Sequence, residues 1–146
     1  MMFAVGLTIV VAESCLAPAN RYEPACKFGK VTATPSEIAE IMAQKLGLTG
    51  GLGTVVERKN GVFTGKLVGK PLHGKAKAKA MRQLAKERNI SLRRSYAYSD
   101  SHNDLPMLTR VGHPVCVNPD KILTKHAKAA GWKILDFKKR ELRANK

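Results

Sequence analysis

Ser99-Asp100-Ser101-His102-Asn103-Asp104-Leu105-Pro106-Met107-Leu108 is the stretch from which the rest of this chain is read. It follows a short apolar run, Tyr96-Ala97-Tyr98. Its two carboxylates therefore fall just past the carboxyl end of a buried strand, where open α/β sheets hold their ligands. Asp100 and Asp104 are four apart, with the amide of Asn103 between them. Mg²⁺ takes one or two carboxylates together with waters and phosphate oxygens, and this set of oxygens suits it. Ser, Asp and Asn also cap helices for structural reasons, so spacing alone leaves a metal site and a helix start both open.

Downstream, the pattern predicts a helix from Asp104 to Arg110 ending at Gly112, then a strand at Val115-Cys116-Val117. The turn Asn118-Pro119 follows, then a helix from Asp120 to about Ala130 stopped by Gly131, and a last strand from Lys133 to Phe137. Upstream, Gly74 to Arg88 reads as a helix with Ala80, Met81 and Leu84 on its inner side. Most of its lysines form a solvated face. Lys75 and Lys77, however, occupy the first turn, where a cation opposes the helix dipole and is better explained by a nearby anion. Thr54 to Glu57 and Val62 to Leu67 flank Asn60-Gly61, the pair favoured in a type I′ turn, so they form an antiparallel hairpin, read as scaffold. Residues 47–53, with four glycines, read as a flexible connector before it.

Thr34-Pro35-Ser36-Glu37 has the form of a capping box with proline at the first helical position. The helix it starts would present Ile38, Ile41, Met42, Lys45 and Leu46 as one stripe, and Gly47 would stop it. Thr32 then falls in the turn between a strand ending near Val31 and this helix. Its hydroxyl there either meets a phosphate oxygen beside free helix amides or bonds its own backbone. Phe3 to Val11 reads as a buried strand, 17–24 as a loop broken by two prolines, and 138–146 as a basic, frayed tail. Strands alternating with helices of about ten residues imply parallel βαβ units with right-handed crossovers. The expected fold class is α/β, a Rossmann-like three-layer sandwich with a mostly parallel sheet and an inserted β-hairpin.

The 146 residues are 44% hydrophobic and 25% charged, which fits a single globular core. Lys plus Arg is 26 against 11 Asp plus Glu, a formal charge of +15, so the surface attracts anions. A basic nucleic-acid-binding protein is one class consistent with that charge, although aromatic content is 5% and no nucleic-acid motif is present. Cys15, Cys26 and Cys116 are odd in number and lack metal-type spacing, so a reduced, cytoplasmic setting is expected. The apolar run 1–12 is too short to span a bilayer and has no basic residue before it, so no transmembrane or signal segment is expected.

Taken in order, Val31-Thr32-Ala33-Thr34-Pro35, the hairpin Gly61-Val62-Phe63-Thr64-Gly65-Lys66-Leu67, His73-Gly74-Lys75-Ala76-Lys77, Ser99 to Asp104 and Val117-Asn118-Pro119-Asp120 resemble the haloacid dehalogenase superfamily. The branch they are most similar to is the phosphoserine phosphatase-like hydrolases. The resemblance covers 31–137 as an incomplete core, leaving 1–30 unassigned and 138–146 as the tail. It implies a Mg²⁺-dependent phosphomonoester hydrolase acting on a small phosphorylated substrate. It further implies that Thr32 binds the transferring phosphoryl group and that Lys77 neutralises it, with Lys75 as the fallback. Lys77 lies 100 − 77 = 23 residues before Asp100, a spacing similar to that of phosphoserine phosphatases. Asp100 matches the metal ligand, Asp104 accompanies it at the metal, and Asn103 belongs with the phosphate-binding groups. The family's nucleophile and acid/base form an Asp-x-Asp motif after the first strand. This chain has no Asp before Asp100, Glu13 is no close substitute, and the usual helical cap is also missing. The expectation is a truncated or degenerate member with impaired turnover, or a non-catalytic module that binds a phosphorylated ligand.

Overall fold

A computed structural model describes residues 8–11 and 28–137. The expectations for residues 3–7, the loop at 17–24, Glu13, Cys15, Cys26 and the tail lie outside the described residues. The strands are β1 (Thr8–Val11), β2 (Phe28–Pro35), β3 (Gly50–Thr54), β4 (Val56–Lys59), β5 (Val62–Leu67), β6 (Tyr96–Ser99), β7 (His113–Val117) and β8 (Lys133–Leu135). The helices are α1 (Ser36–Lys45), α2 (Lys75–Glu87), α3 (Leu105–Leu108) and α4 (Lys121–Ala130).

Six strands form one sheet in the order β3-β2-β1-β6-β7-β8, while β4 and β5 pair separately as the hairpin. β2 is parallel to β3, and β6, β7 and β8 are parallel to one another. β1 is antiparallel to both of its neighbours, β2 and β6. The five other strands therefore run in one direction, and their carboxyl ends share one edge. Thr8 pairs with Val31 and Ile9 with Tyr98, so β1 enters at that edge, whereas Val11, paired with Phe28 and Tyr96, lies at the opposite one.

β3 is a correction to the expected flexible connector, and its glycines have a steric cause. A Cβ on Gly51 would stand 2.4 Å from the carbonyl oxygen of Ala39, and one on Gly53 would stand 2.6 Å from Cα of Ser36. α1 thus lies directly on the backbone of β3. Side chains alternate along a strand, and Leu52 accordingly lines a groove on the other face with Ala76 and Ala80 of α2. α1 and α2 cover opposite faces, which makes the three layers. On the α2 face, Ala78 and Met81 share one apolar core with Ala97, Met107, Leu108, Cys116, Leu123 and Ala127, so α3 and α4 pack there too.

The close approach of α1 also explains two further corrections. α1 packs through Ala39 and Ala43, both fully buried, whereas Ile38 and Ile41 of the expected stripe are 48% and 53% exposed. The expected capping box does not form. β2 continues to Pro35, the Thr34 hydroxyl donates to Thr32 Oγ1 at 3.2 Å, and Ser36 Oγ donates to its neighbour Glu37 at 3.1 Å. Thr32 is consequently in the strand, not in a turn. Around the opening stretch, a single 3₁₀ turn at His102–Asp104 precedes the short α3, in place of one helix from Asp104 to Arg110.

Other expectations stand. Gly47 and Gly131 take left-handed φ of 67° and 68° after α1 and α4, and Asn60 and Gly61 take φ of 51° and 80°, as a type I′ turn requires. Two bounds are corrected: the hairpin's first strand begins at Val56, Thr54 ending β3 instead, and the last strand stops at Leu135, short of Phe137.

Gly51→Ala is expected to cost about 1–3 kcal/mol, as overpacking does, read as a lower urea midpoint at constant m. Ile41→Ser is expected to stay within about 0.5 kcal/mol of the parent chain. A larger loss for Ile41→Ser would mean that its face of α1 is covered.

Candidate functional site

The shared carboxyl edge collects the side chains singled out in the sequence. Thr32, 4% exposed, sits near the end of β2, where its Oγ1 accepts from the backbone N–H of Thr34 at 3.3 Å and from that residue's hydroxyl. Thr54, at the end of β3, donates from Oγ1 to the Ala33 carbonyl at 2.8 Å and accepts from the Leu72 N–H at 3.0 Å. This bond ties the segment entering α2 to the strand that carries Thr32. Gly74, with φ of 49°, opens α2, and a Cβ there would lie 3.5 Å from the carbonyl oxygen of Asn103. The start of α2 is thereby set against the Asp100–Asp104 loop.

Three residues later, Lys77 points inward and Lys75 stays exposed. Lys77 Nζ donates to Asp104 Oδ1 at 2.8 Å, and Ser99 Oγ donates to Asp104 Oδ2 at 2.7 Å. All three are buried, at 5%, 1% and 0% exposure for Lys77, Asp104 and Ser99. A buried ammonium needs a counterion and a buried carboxylate needs donors, and this pair supplies both. Asp104, expected at the metal beside Asp100, instead has each carboxylate oxygen bonded within the protein.

Asp100 is arranged differently. Its Oδ1 is buried and has no hydrogen-bond partner among the described residues. An unsatisfied buried oxygen is costly, and its presence at the carboxyl edge is the feature expected of an acceptor held ready for a cation. A metal fits it in the manner of Mg²⁺, which needs few protein ligands. Among the described residues no cluster of three or more His, Cys, Asp or Glu forms a closed metal cage. Asn103 is exposed at the same loop, its side-chain amide donating to Ser101 Oγ at 3.1 Å.

The loop is also held by Asp120, read in the sequence as a helix start and as the end of the Val117–Asp120 motif. Its Oδ1 caps α4 by accepting from the Leu123 N–H at 2.7 Å. Its Oδ2 accepts from the His102 N–H at 2.7 Å and contacts His102 Nδ1 at 2.8 Å. Its own N–H donates to the Asp100 carbonyl at 2.9 Å. Burial alone would raise the Asp120 pKa. The backbone N–H groups of Leu123 and His102, with the His102 ring, outweigh it and bring the pKa down to about 2 from the ordinary 3.8. No local signal marks this clamp, because its ends are 18 residues apart. Ser99, quoted in the sequence but given no role of its own, could have been found from strand alternation, since it lies two residues past the buried Ala97.

β1 separates β2 from β6. Thr32 and Ser99 are thus two strand spacings apart, about 10 Å, with Thr8 entering between them.

Comparison with known proteins gives the family. A model of haloacid dehalogenase-like hydrolases matches residues 31–109, from the Thr32 strand through α3. The phosphoserine phosphatase SerB1 of Mycobacterium tuberculosis is 54% identical over 108 residues, covering 74% of this chain and 35% of that protein. A histidinol-phosphatase of Neisseria meningitidis is 38% identical over 112 residues, covering 74% of this chain and 50% of that one. The crystal structure of a Bordetella pertussis protein of unknown function superposes with a TM-score of 0.68 at 33% identity, over 74% of this chain and 50% of its own. The chain spans about a third to a half of the length of these proteins. A family model that covers more than half of the residues, and carries Thr32, Lys77, Asp100 and Asp104 within it, shows that this chain belongs to the haloacid dehalogenase-like hydrolases.

Proposed function

We propose that this chain carries the phosphate- and Mg²⁺-binding half of a phosphomonoester hydrolase site, with a small phosphorylated substrate such as phosphoserine as its ligand. The observation that carries the reading is the buried Lys77–Asp104–Ser99 network beside an Asp100 oxygen that has no partner. The relatives described as phosphoserine phosphatase and histidinol-phosphatase support the same substrate class.

In this reading Asp100 Oδ1 holds the metal. Bound Mg²⁺ would neutralise and orient phosphate oxygens. Lys77 faces the phosphoryl group with its charge balanced, Asp104 and Ser99 fix its ammonium in place, and the hydroxyl of Thr32 and the amide of Asn103 offer donors to the remaining oxygens. Phosphoryl transfer depends on such positioning and charge neutralisation more than on covalent chemistry from most of the site. The family's nucleophile is a carboxylate, and the first Asp of this chain is Asp100. The strand between Thr32 and Ser99 presents its first residue, Thr8, to the edge. Turnover therefore requires a nucleophile from outside the described residues, and binding does not.

Calorimetric titration with inorganic phosphate is expected to show Mg²⁺-dependent binding in the parent chain and none in Asp100→Ala, while phosphate release from phosphoserine stays at background. Binding indifferent to Mg²⁺ and to Asp100→Ala would refute the assignment. The same two carboxylates should separate in stability. Asp104→Ala strands a buried ammonium and is expected to cost about 3–5 kcal/mol. Asp100→Ala removes an unsatisfied acceptor and should be neutral or stabilising in urea melts. Because the folded-state pKa of Asp120 is depressed, its contribution is complete above the ordinary 3.8 and is lost as pH falls toward about 2. The stability gap between the parent chain and Asp120→Asn should thus close as pH falls from about 4 to about 2.

A further inference from the structure

The hairpin of β4 and β5, expected as scaffold, carries a feature that the phosphate site does not use. It forms its own two-stranded sheet beside the six-stranded one, and no residue of either strand is buried. Its tip is apolar. Val62 and Phe63, the two residues after the Asn60–Gly61 turn, are 69% and 52% exposed. Consecutive strand residues face opposite ways, so both faces of the tip present an apolar side chain to solvent. Strand propensity favours branched and aromatic residues, but a wet position is served as well by a threonine, as at Thr64.

Cations stand beside these side chains. Across the hairpin Lys59 pairs with Val62 and Arg58 with Phe63. The Arg58 guanidinium lies over the Phe63 ring, 4.2 Å from its centroid, and its Nε is 3.5 Å from Glu37 of α1. Lys66 and Lys70 follow in the same exposed stretch. Lys59, Lys66 and Lys70 form no ion pair with another described residue. Between Val55 and Leu72 the one acidic residue is Glu57, whose carboxylate accepts from the Thr64 hydroxyl at 2.6 Å. A partner protein lying against one face of the tip would leave the apolar residue of the other face wet. A lipid interface surrounds an inserted tip on every side, and long cationic side chains beside it reach the lipid phosphates. The chain's formal charge of +15 draws it to such a surface when the lipids are anionic.

We propose that the hairpin tip docks this chain on an anionic membrane surface. Val62 and Phe63 enter the boundary between head groups and acyl chains, and Lys59, Lys66 and Lys70 meet the lipid phosphates. The contact uses neither Asp100 nor Lys77, so it does not depend on Mg²⁺.

Cosedimentation of the whole chain in EDTA is measured with vesicles of phosphatidylcholine alone and of equimolar phosphatidylcholine and phosphatidylglycerol. Binding to the anionic vesicles and none to the zwitterionic ones is expected. Val62→Thr, which keeps strand propensity, should weaken it about fivefold and Phe63→Ser about tenfold, while circular dichroism stays unchanged. Lys66→Gln should weaken it about fivefold, the worth of one cation near an anionic surface. Lys125→Gln is the control, because α4 packs at β7 and β8, about 20 Å or more across the sheet from β3. It should bind within about twofold of the parent, since charges beyond a Debye length are screened. Asp100→Ala should bind at least as tightly as the parent, which keeps this result separate from the phosphate-site reading. Undiminished binding by Val62→Thr and Phe63→Ser would mean adsorption by net charge alone and overturns the proposal. Equal losses in Lys66→Gln and Lys125→Gln overturn it too. So does absence of vesicle binding, in which case self-association lost in Phe63→Ser would assign the tip to a second copy of this chain.

Discussion

Lys77 and Asp104 form an ion pair inside the protein, and much of the carboxyl edge is arranged by the need to keep it satisfied. Either charge alone would be expensive in the interior. The ammonium therefore draws the first turn of α2 onto the loop after β6, and Ser99 fills the remaining acceptor of Asp104. Gly74 is the backbone consequence, since α2 starts there in a left-handed conformation with the Asn103 carbonyl beside it. The same pair leaves Asp100 as the carboxylate whose oxygen has no protein donor. Two carboxylates four residues apart thus sit in different surroundings, one bonded through both oxygens and one with an oxygen that has no partner among the described residues.

The edge is braced from two other directions. Thr54 links β2 to the segment before α2, and Asp120 links α4 to both ends of the Asp100–His102 backbone. Three parallel-strand ends and two helix starts are held by a handful of side-chain bonds to backbone. Placement of this kind suits a reaction governed by where charges stand.

Elements with strong local chemistry could be read directly. The Asn60-Gly61 turn, the glycine stops at 47 and 131 and the span of α4 all occur as expected, because turn and cap preferences depend on a few neighbouring atoms. Lys77 was readable because a cation in a first helical turn has no local reason to be there. The 47–53 segment misled for a matching reason. Its glycines signal flexibility to local reasoning, but here they admit α1 against β3. The stripe of Ile38 and Ile41 misled because the same contact selects Ala39 and Ala43 as the inner face.

By itself the sequence determined the alternation of strands and helices, the turns, the order of the motifs and which side chains are chemically able to meet a phosphate or a cation. These follow from short-range sterics and from residue chemistry. The tertiary structure decided that Asp104 serves Lys77 while Asp100 keeps an oxygen without a partner, that Asp120 holds His102, and that β1 runs against its neighbours. Each depends on groups brought together across 18 or more residues, or on strand pairing. Such contacts are chosen by burial and charge satisfaction in the assembled core, which no local pattern encodes.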